Sequence, residues 1–237
     1  MIRWILTCEH GGHRVPARWK HLFEGAEDVL RSHRGWDRGA LCTFRTLASE
    51  IGDAAFHSTT TRLLVDLNRS PHHKSVFSEF TRNLPVAERR EILNQHYLPF
   101  RRRVAETIRQ WRQAGETVIH ISVHSFTPVM HGHVRNADVG LLYDPARGLE
   151  RSVCRQWRQR LAETEPGCRV RLNYPYRGTA DGFTKWLRRV HPTGYAGIEL
   201  ELNEGNVGRR CAGVAAYVLE SLSRLRADLS DPSRIAE

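Results

Sequence analysis

The sequence predicts an α/β domain whose central sheet is mostly parallel or mixed, with helices on both faces. Two observations predict it. Short apolar runs of strand composition alternate with segments of helical period, and hairpin signals between those runs are few. Parallel strands need long connections, which helices supply. With 237 residues, of which 40% are hydrophobic, the chain suits one such domain, and we expect residues 1–237 to form it.

The strand signals are runs rich in β-branched and aromatic residues, bounded by turn residues. The run at 117–124 is the longest and is mostly apolar, so we expect it in the centre of the sheet. A turn at Gly11-Gly12 follows the first run, and its glycines would let the backbone approach a ligand. The other expected strands are residues 2–7, 54–57, 63–67, 138–143, 169–172 and 195–202.

The helix signals are apolar residues that recur at spacings of three and four. Over 37–51 this spacing predicts an amphipathic helix with Asp37 in its first turn. The helical period over 86–114 contains Pro99, which predicts two helices or one kinked helix. Helices are also expected at 151–164 and 207–225, with a brief amphipathic segment from residue 181 and a frayed tail after Ala227.

The chain is strongly basic, with a formal net charge of +10 and a pI near 9.9. Of the 36 basic residues, 33 are arginines, and they are spread over several predicted helices rather than collected in one stripe. No zinc-finger, RRM or KH signature accompanies them. We therefore expect no nucleic-acid partner and interpret the charge as a field that attracts small anionic substrates.

No run approaches the roughly 20 apolar residues that cross a bilayer, and the first apolar run is too short for a signal peptide. We therefore expect a cytoplasmic protein with no membrane partner. The sequence leaves the oligomeric state open. The five cysteines are odd in number and lack a C-x-x-C pair, so we expect most of them to be buried thiols rather than a disulfide framework.

Histidines and carboxylates stand at the ends of several apolar runs, where parallel strands would bring them to one edge of the sheet. His10 follows the first run, Asp37 opens a helix, and His124 closes the central strand. A catalytic zinc takes three such protein ligands and keeps one position open for water. A helix cap would also explain Asp37, and His13 is an alternative second ligand, so spacing alone leaves both questions open.

Glu199 and Glu201 lie two residues apart in the last strand, which places both carboxylates on one face. Buried carboxylates are unfavourable unless they are paired or bound to a cation. Ion pairs with the many arginines are one explanation. The other is that one carboxylate is a general base that takes a proton from an activated water.

Two arginines, Arg62 and Arg69, bracket the 63–68 run. A planar guanidinium matches a substrate carboxylate well, but an ion pair with Asp66 explains them equally. Histidine pairs at 72–73 and at 131 and 133 lie beside proline or glycine in loops, and we expect them to face solvent.

Seven short motifs occur in a fixed order along the chain. They are His10-Gly11-Gly12, Gly35-Trp36-Asp37, the run at 62–69, His124-Ser125-Phe126, Asp138-Val139-Gly140, Asn173-Tyr174-Pro175-Tyr176 and the run at 199–203. In this order the chain resembles the N-formylglutamate amidohydrolase family, from about residue 5 to about residue 210, and Asp66-Leu67-Asn68-Arg69 is the most specific part. More distantly, the order of the site residues is similar to zinc-dependent N-acetylmuramoyl-L-alanine amidases and zinc carboxypeptidases.

The resemblance implies a zinc-peptidase-like α/β fold and hydrolysis of an amide in a small anionic N-acyl amino acid. It implies that His10, Asp37 and His124 bind zinc or another divalent metal, because such donors also accept manganese, iron or cobalt. It also implies that Glu201 is the general base, with Glu199 as the alternative. The residues expected to hold the substrate are Arg62, Asn68, Arg69 and Arg177.

Two stretches depart from the family pattern. The usual His-Ser-Gly is His10-Gly11-Gly12 here, preceded by Glu9, and Glu204-Gly205-Asn206-Val207 replaces the expected Tyr-Met-Asp-Glu. These departures bear on the identity of the substrate, N-formylglutamate, more than on the hydrolytic chemistry. Because the order of the site residues is shared, a peptidoglycan or peptide amidase, or a zinc carboxypeptidase-like hydrolase, is an alternative. A non-catalytic basic protein that binds nucleic acid or anions is an alternative of another class.

Overall fold

A computed structural model of the chain describes residues 1–230, which contain eight strands. Six of them form one sheet, and the two shortest form a separate ribbon. The strands are β1 (Ile2–Cys8), β2 (Ala54–His57), β3 (Thr117–Phe126), β4 (Val129–Met130), β5 (His133–Val134), β6 (Val139–Leu142), β7 (Val170–Leu172) and β8 (Tyr195–Asn203).

The sheet has the strand order β2-β1-β3-β8-β6-β7. The first four strands in this order are mutually parallel. β6 pairs antiparallel with β8, and β7 pairs parallel with β6. The predicted fold class, a mostly parallel or mixed sheet, is therefore confirmed, and the central position of β3 agrees with its composition.

Helices cover both faces of the sheet. α2, α5 and α7 pack together on one face, whereas α4 and α6 contact the other. A π-helical turn over Leu93–Tyr97 joins α3 to α4, and Pro99 lies in the first turn of α4, so the segment predicted over 86–114 forms two helices. The helices are α1 (Glu27–Arg31), α2 (Ala40–Glu50), α3 (Val86–Ile92), α4 (Leu98–Gln113), α5 (Gly148–Thr164), α6 (Phe183–Val190) and α7 (Glu204–Ser230), with a 3-10 turn at Ala17–Phe23.

The central strand β3 carries different side chains on its two faces. Ile119, Ile121 and Val123 belong to the hydrophobic core formed with α2, α5 and α7. The alternate positions carry His120, Ser122 and His124, all buried. Because successive side chains of a strand point to opposite faces, one face of the sheet is apolar and the other holds a buried polar column.

The strand predicted over residues 63–67 is wrong, because this segment forms turns. Its backbone groups are satisfied by side chains and by a neighbouring loop rather than by a strand. Thr81 Oγ1 donates to the Leu64 carbonyl at 3.1 Å, and the Asp66 amide donates to the Val76 carbonyl at 2.8 Å. The apolar side chains that imitated a strand fill a second, smaller core.

Two helix boundaries differ from the predictions. α2 begins at Ala40, so Asp37 lies in the preceding turn and no side chain caps the helix. α7 begins at Glu204 and continues to Ser230, through non-helical backbone angles at Arg210, so residues 228–230 are helical rather than frayed. The remainder of the predicted tail, 231–237, lies outside the described residues.

One pair of cysteines departs from the expectation of buried thiols. Cys42 in α2 and Cys211 in α7 form a disulfide across 169 residues of sequence, because the packing of α2 on α7 brings them together. Cys8 and Cys154 are buried free thiols. Burial raises the pKa of the Cys8 thiol well above its ordinary value, so it does not fit a reactive nucleophile.

No helix within residues 1–230 combines the length and apolar composition that crossing a membrane requires.

Packing between α7 and the sheet predicts a matched pair of substitutions. Leu222 is fully buried in the main core, whereas Leu149 at the start of α5 is 36% exposed. We expect Leu222→Ala to lower the free energy of unfolding by about 3 kcal/mol through lost burial and a cavity. Leu149→Ala should lower it by less than about 1 kcal/mol. Urea titration measures both, and equal losses would contradict this assignment of the core.

The buried His120 predicts a dependence of stability on pH. Burial lowers its pKa to about 4 from 6.5, so the folded state favours the neutral ring. The stabilisation is complete above pH 6.5 and is lost as the pH falls toward 4, a change of about 3 kcal/mol. We expect His120→Gln to flatten the free energy of unfolding against pH in this window. An unchanged slope would contradict it.

Candidate active site

Three side chains from separate parts of the chain converge at the carboxyl end of the parallel strands. His10 follows β1, Asp37 lies in the turn before α2, and His124 lies in β3; all three are buried. The Nδ1 atom of His124 lies 2.7 Å from Asp37 Oδ2, and the Nδ1 atom of His10 lies 3.3 Å from the same oxygen. One ligand atom from each residue lies within 4.8 Å of the others, an arrangement that could hold a metal ion. We call these three residues the donor cluster.

Backbone contacts position the loop that carries His10. The Asp37 amide donates to the His10 carbonyl at 2.9 Å, and the Gly11 amide donates to the Ser58 carbonyl at 3.0 Å. A Cβ atom at Gly12 would lie 2.7 Å from the Thr59 carbonyl oxygen. The glycines of this turn therefore allow close contact with the neighbouring chain segment at residues 58–59.

A carboxylate outside the donor cluster contacts His10 at Nε2, the ring nitrogen that does not face Asp37. Asp66 Oδ1 lies 2.7 Å from His10 Nε2 and accepts the Asn68 amide at 2.9 Å. Arg62 bridges Asp66 and Asp37, donating to them at 2.9 and 3.1 Å. Such an outer carboxylate fixes the tautomer and orientation of a ligating histidine. The ion pair considered for Arg62 is therefore present, and it orders two acids of the site.

A different set of contacts positions His124, also through Nε2, the ring nitrogen that does not face Asp37. Its Nε2 atom lies 2.9 Å from Ser122 Oγ and 3.4 Å from Glu9 Oε2. Asn68 Nδ2 is also 3.4 Å from this nitrogen. Burial opposes the ionisation of Glu9, but the nearby His124 ring and a hydrogen bond from Thr7 outweigh it and lower its pKa to about 2. Both imidazoles thus direct Nδ1 toward Asp37 and Nε2 toward outer polar groups.

The charges of the cluster are strongly coupled. Burial opposes the ionisation of Asp37, but His10, His124 and Arg62 hold its pKa well below the ordinary value. Asp66 is likewise kept ionised against burial, by Arg62 and His10. Burial would lower the pKa of His124, but its hydrogen bonds to carboxylates raise it well above the ordinary value. The site therefore concentrates negative charge around two imidazoles.

The two glutamates of β8 differ in their surroundings. Glu201 is the register partner of His124, and its buried Oε2 has no hydrogen-bond partner. Burial raises its pKa to about 7. Glu199 is half-buried and accepts a hydrogen bond from Thr184 Oγ1 at 2.7 Å. Both carboxylates lie on one face of β8, as predicted, and Glu201 carries a buried, unpaired oxygen at the register position of His124.

A cavity of about 220 Å³ opens beside Asp37 and Arg62. A second cavity of about 240 Å³ shares Arg34 and Arg62 with it. The first combines cationic, hydroxyl and apolar groups, which suits a small amphipathic anion. It is lined by His33, Arg34, Asp37, Arg62, Ser125, Phe126, Thr127, Met130 and Tyr176.

Other predicted site residues lie outside the donor cluster. His13 is exposed and packs against the Trp36 ring, with ring centroids 5.2 Å apart. Arg69 donates to the Asp181 carbonyl at 2.7 Å, and Arg177 is exposed. Asn68 reaches the donor cluster through its 3.4 Å contact with His124.

Three residues behind the donor cluster were missed as part of the site. From the sequence, Asp66 is expected as an ion-pair partner and as part of a family motif, Glu9 is a departure from a motif, and Ser122 has no expected role at the site. The alternation of polar residues in 120–124 could have indicated Ser122, since it shares a face with His124. The placement of Asp66 and Glu9 depends on contacts across the fold, which no local pattern reveals.

Solved structures with a similar fold include two that are similar over nearly the whole chain. A gene product of Agrobacterium tumefaciens is 29% identical, with a TM-score of 0.80 over 96% of this chain and 92% of that chain. The N-formylglutamate amidohydrolase of Ralstonia eutropha JMP134 is 17% identical, with a TM-score of 0.65 over 94% of each chain. The second, at this identity, shows a shared fold alone.

No curated protein matches the sequence. The family model for N-formylglutamate amidohydrolase does match, over residues 2–206, and so spans the donor cluster and both glutamates of β8. This match covers most of the chain and agrees with the motif order found in the sequence. The chain belongs to the N-formylglutamate amidohydrolase family.

Proposed function

We propose that the protein is a metal-dependent amidohydrolase that cleaves a small N-acyl amino acid, such as N-formylglutamate, with zinc as the expected metal. The observation that supports this most directly is the donor cluster beside the buried, unpaired carboxylate oxygen of Glu201, in a chain of this family.

The residues present fit a divalent cation. Two imidazole nitrogens and a carboxylate are the donors that catalytic zinc takes. Both imidazoles are oriented from behind through Nε2, so Nδ1 is the donor atom of each. The site holds four buried carboxyl groups, of which Arg62 pairs with Asp37 and Asp66 and Arg69 lies 4.0 Å from Asp66. The remaining excess of negative charge favours a cation. The four are Glu9, Asp37, Asp66 and Glu201.

When bound, a divalent cation would polarise the amide carbonyl and lower the pKa of water. In this proposal Glu201 is the general base. Its unpaired Oε2 accepts a proton from water and then passes it to the leaving nitrogen. A pKa of about 7 suits both halves of this transfer, because the group takes and releases a proton near neutral pH.

The substrate site in this proposal is the cavity beside Asp37. Arg62 lines it and keeps N–H groups beyond its two ion pairs, so it would bind a substrate carboxylate together with Asn68. Arg69 and Arg177 would act from farther out, since one is engaged with Asp181 and the other is exposed. The family implies that the acyl group is N-formyl. Because two motifs depart from the family pattern, the substrate screen below includes other acyl groups.

The proposed function predicts that the protein binds a divalent cation. Metal analysis of purified protein should find about one divalent cation per chain, because residues 1–230 contain one three-donor cluster. His124→Ala should abolish binding. His72→Ala, at an exposed loop histidine, should retain it. Equal metal content in the two variants would remove His124 from the site.

The general base is tested by comparing the two glutamates of β8. We expect Glu201→Gln to lower kcat by about 100- to 10,000-fold while the cation stays bound. Glu199→Gln should lower it by less than about tenfold, since its carboxylate already accepts a hydrogen bond from Thr184. The reverse order would assign the base to Glu199.

A substrate screen tests the reaction. Metal-loaded enzyme should hydrolyse formyl-, acetyl- or succinyl-amino acids, with lower kcat/KM when a substrate carboxylate is replaced by an amide. Cleavage of muropeptides or C-terminal peptide bonds instead would favour the amidase or carboxypeptidase alternative. No turnover, together with salt-sensitive nucleic-acid binding, would favour the non-catalytic one.

A further inference from the structure

A continuous chain of buried hydrogen bonds runs behind His124, across β1, β3 and β8. It leads away from the donor cluster and ends at a tyrosine hydroxyl in the core. Neighbouring groups are 2.6–2.9 Å apart, and all six residues are buried. From the site inward they are His124, Ser122, Glu9, Thr7, His120 and Tyr195.

Glu9 is the centre of this chain and its only acid. It is fully buried, and no arginine or lysine forms an ion pair with it among the described residues. Its Oε1 accepts from Thr7 Oγ1 at 2.6 Å, and its Oε2 accepts from Ser122 Oγ at 2.8 Å. A carboxylate accepts at both oxygens and donates at neither, so it sets the direction of both hydroxyl protons.

The direction of the Ser122 proton determines the state of His124. A hydroxyl has one hydrogen, and after donating it to Glu9 the Ser122 oxygen can only accept. A bare Nε2 on His124 would place its lone pair 2.9 Å from that oxygen and 3.4 Å from the Glu9 carboxylate. A proton on Nε2 removes this repulsion. The competing donor, Asn68 Nδ2, is farther away at 3.4 Å.

The same argument from the single hydrogen of a hydroxyl applies to Thr7, on the other side of Glu9. Thr7 donates to Glu9 and therefore accepts from His120 Nε2, 2.8 Å away. His120 Nδ1 then has a free lone pair, which accepts the Tyr195 hydroxyl proton at 2.7 Å. One proton arrangement thus satisfies every group in the chain, and it requires Glu9 to accept twice.

We propose that Glu9 is a positioning residue that keeps the proton of His124 on Nε2 and directs its Nδ1 toward the cation, with Ser122 as the link. Asp66 holds His10 by direct contact; Glu9 holds His124 through a hydroxyl. This inference rests on the proposed cation site. It assigns to Glu9, the residue preceding the His-Gly-Gly motif, control over cation affinity without contact to substrate.

The conservative variant Glu9→Gln tests the proposal. Its amide must donate at one end, so either Ser122 or Thr7 reverses its proton, and the negative charge is lost. Metal-free protein titrated with Co²⁺ and with Zn²⁺ should show affinity reduced by about 10- to 100-fold. The absorption spectrum of the Co²⁺ complex should also shift, a change that loss of stability alone does not cause.

Glu150→Gln is the matched control. Glu150 is equally buried, but it accepts from Arg188 at 2.8 Å in a separate network. We expect this variant to unfold at a lower temperature while its folded state keeps wild-type Co²⁺ affinity and spectrum. If the wild-type protein binds neither metal, the proposed cation site and this inference both fail. If Glu9→Gln folds and binds as the wild type does, the inference alone fails.

A measurement on the unmutated protein covers the case in which Glu9→Gln does not fold. Nitrogen-15 NMR of the Zn²⁺ complex distinguishes the two imidazole tautomers. We expect His120 and His124 both to carry their proton on Nε2. A proton on Nδ1 of His120 would show that Thr7 donates to His120 rather than to Glu9, and it would overturn the inference.

Discussion

The parallel register of β1, β3 and β8 is the constraint on which the site depends. It aligns Thr7 with Ser122 and Ser122 with Glu199, and it aligns His124 with Glu201. Register partners in a parallel sheet share a face, so a shift of one residue in any of these strands would send its polar side chains into the apolar core. The hydrophobic face, packed against α2, α5 and α7, therefore also fixes the position of the polar face that carries the donor cluster.

Burial shapes the electrostatics of this face. Glu9, Asp37 and Asp66 remain ionised in the interior because hydrogen bonds and nearby imidazoles, together with Arg62 and Arg69 at the two aspartates, outweigh desolvation. Glu201 lacks such partners, and burial raises its pKa to about 7. Glu9, Asp37 and Asp66 thus stay ionised near neutral pH, whereas the pKa of Glu201 lies near that pH. Such a difference in pKa between neighbouring carboxyl groups is typical of acid–base sites.

Particular residues show how far the sequence alone reaches. His10, Asp37 and His124 could be proposed together because each stands at the end of an apolar run, and the family motifs order them. The prediction of a strand at 63–67 was wrong. Apolar residues pack in a turn segment as well as in a strand when hydroxyls such as that of Thr81 satisfy the backbone. The Cys42–Cys211 bond was missed since 169 residues separate its partners.

By itself the sequence determined the fold class, the alternation of polar and apolar residues in β3, and which residue types were available for chemistry, because these depend on local period and composition. Only the tertiary structure decided which carboxylate lies near the Nε2 atom of each histidine and which nitrogen faces Asp37. It also decided which glutamate of β8 has a buried, unpaired oxygen. These are contacts between β1, β3, β8 and the 62–69 segment, and their energies depend on distance and burial, which residue order along the chain does not specify.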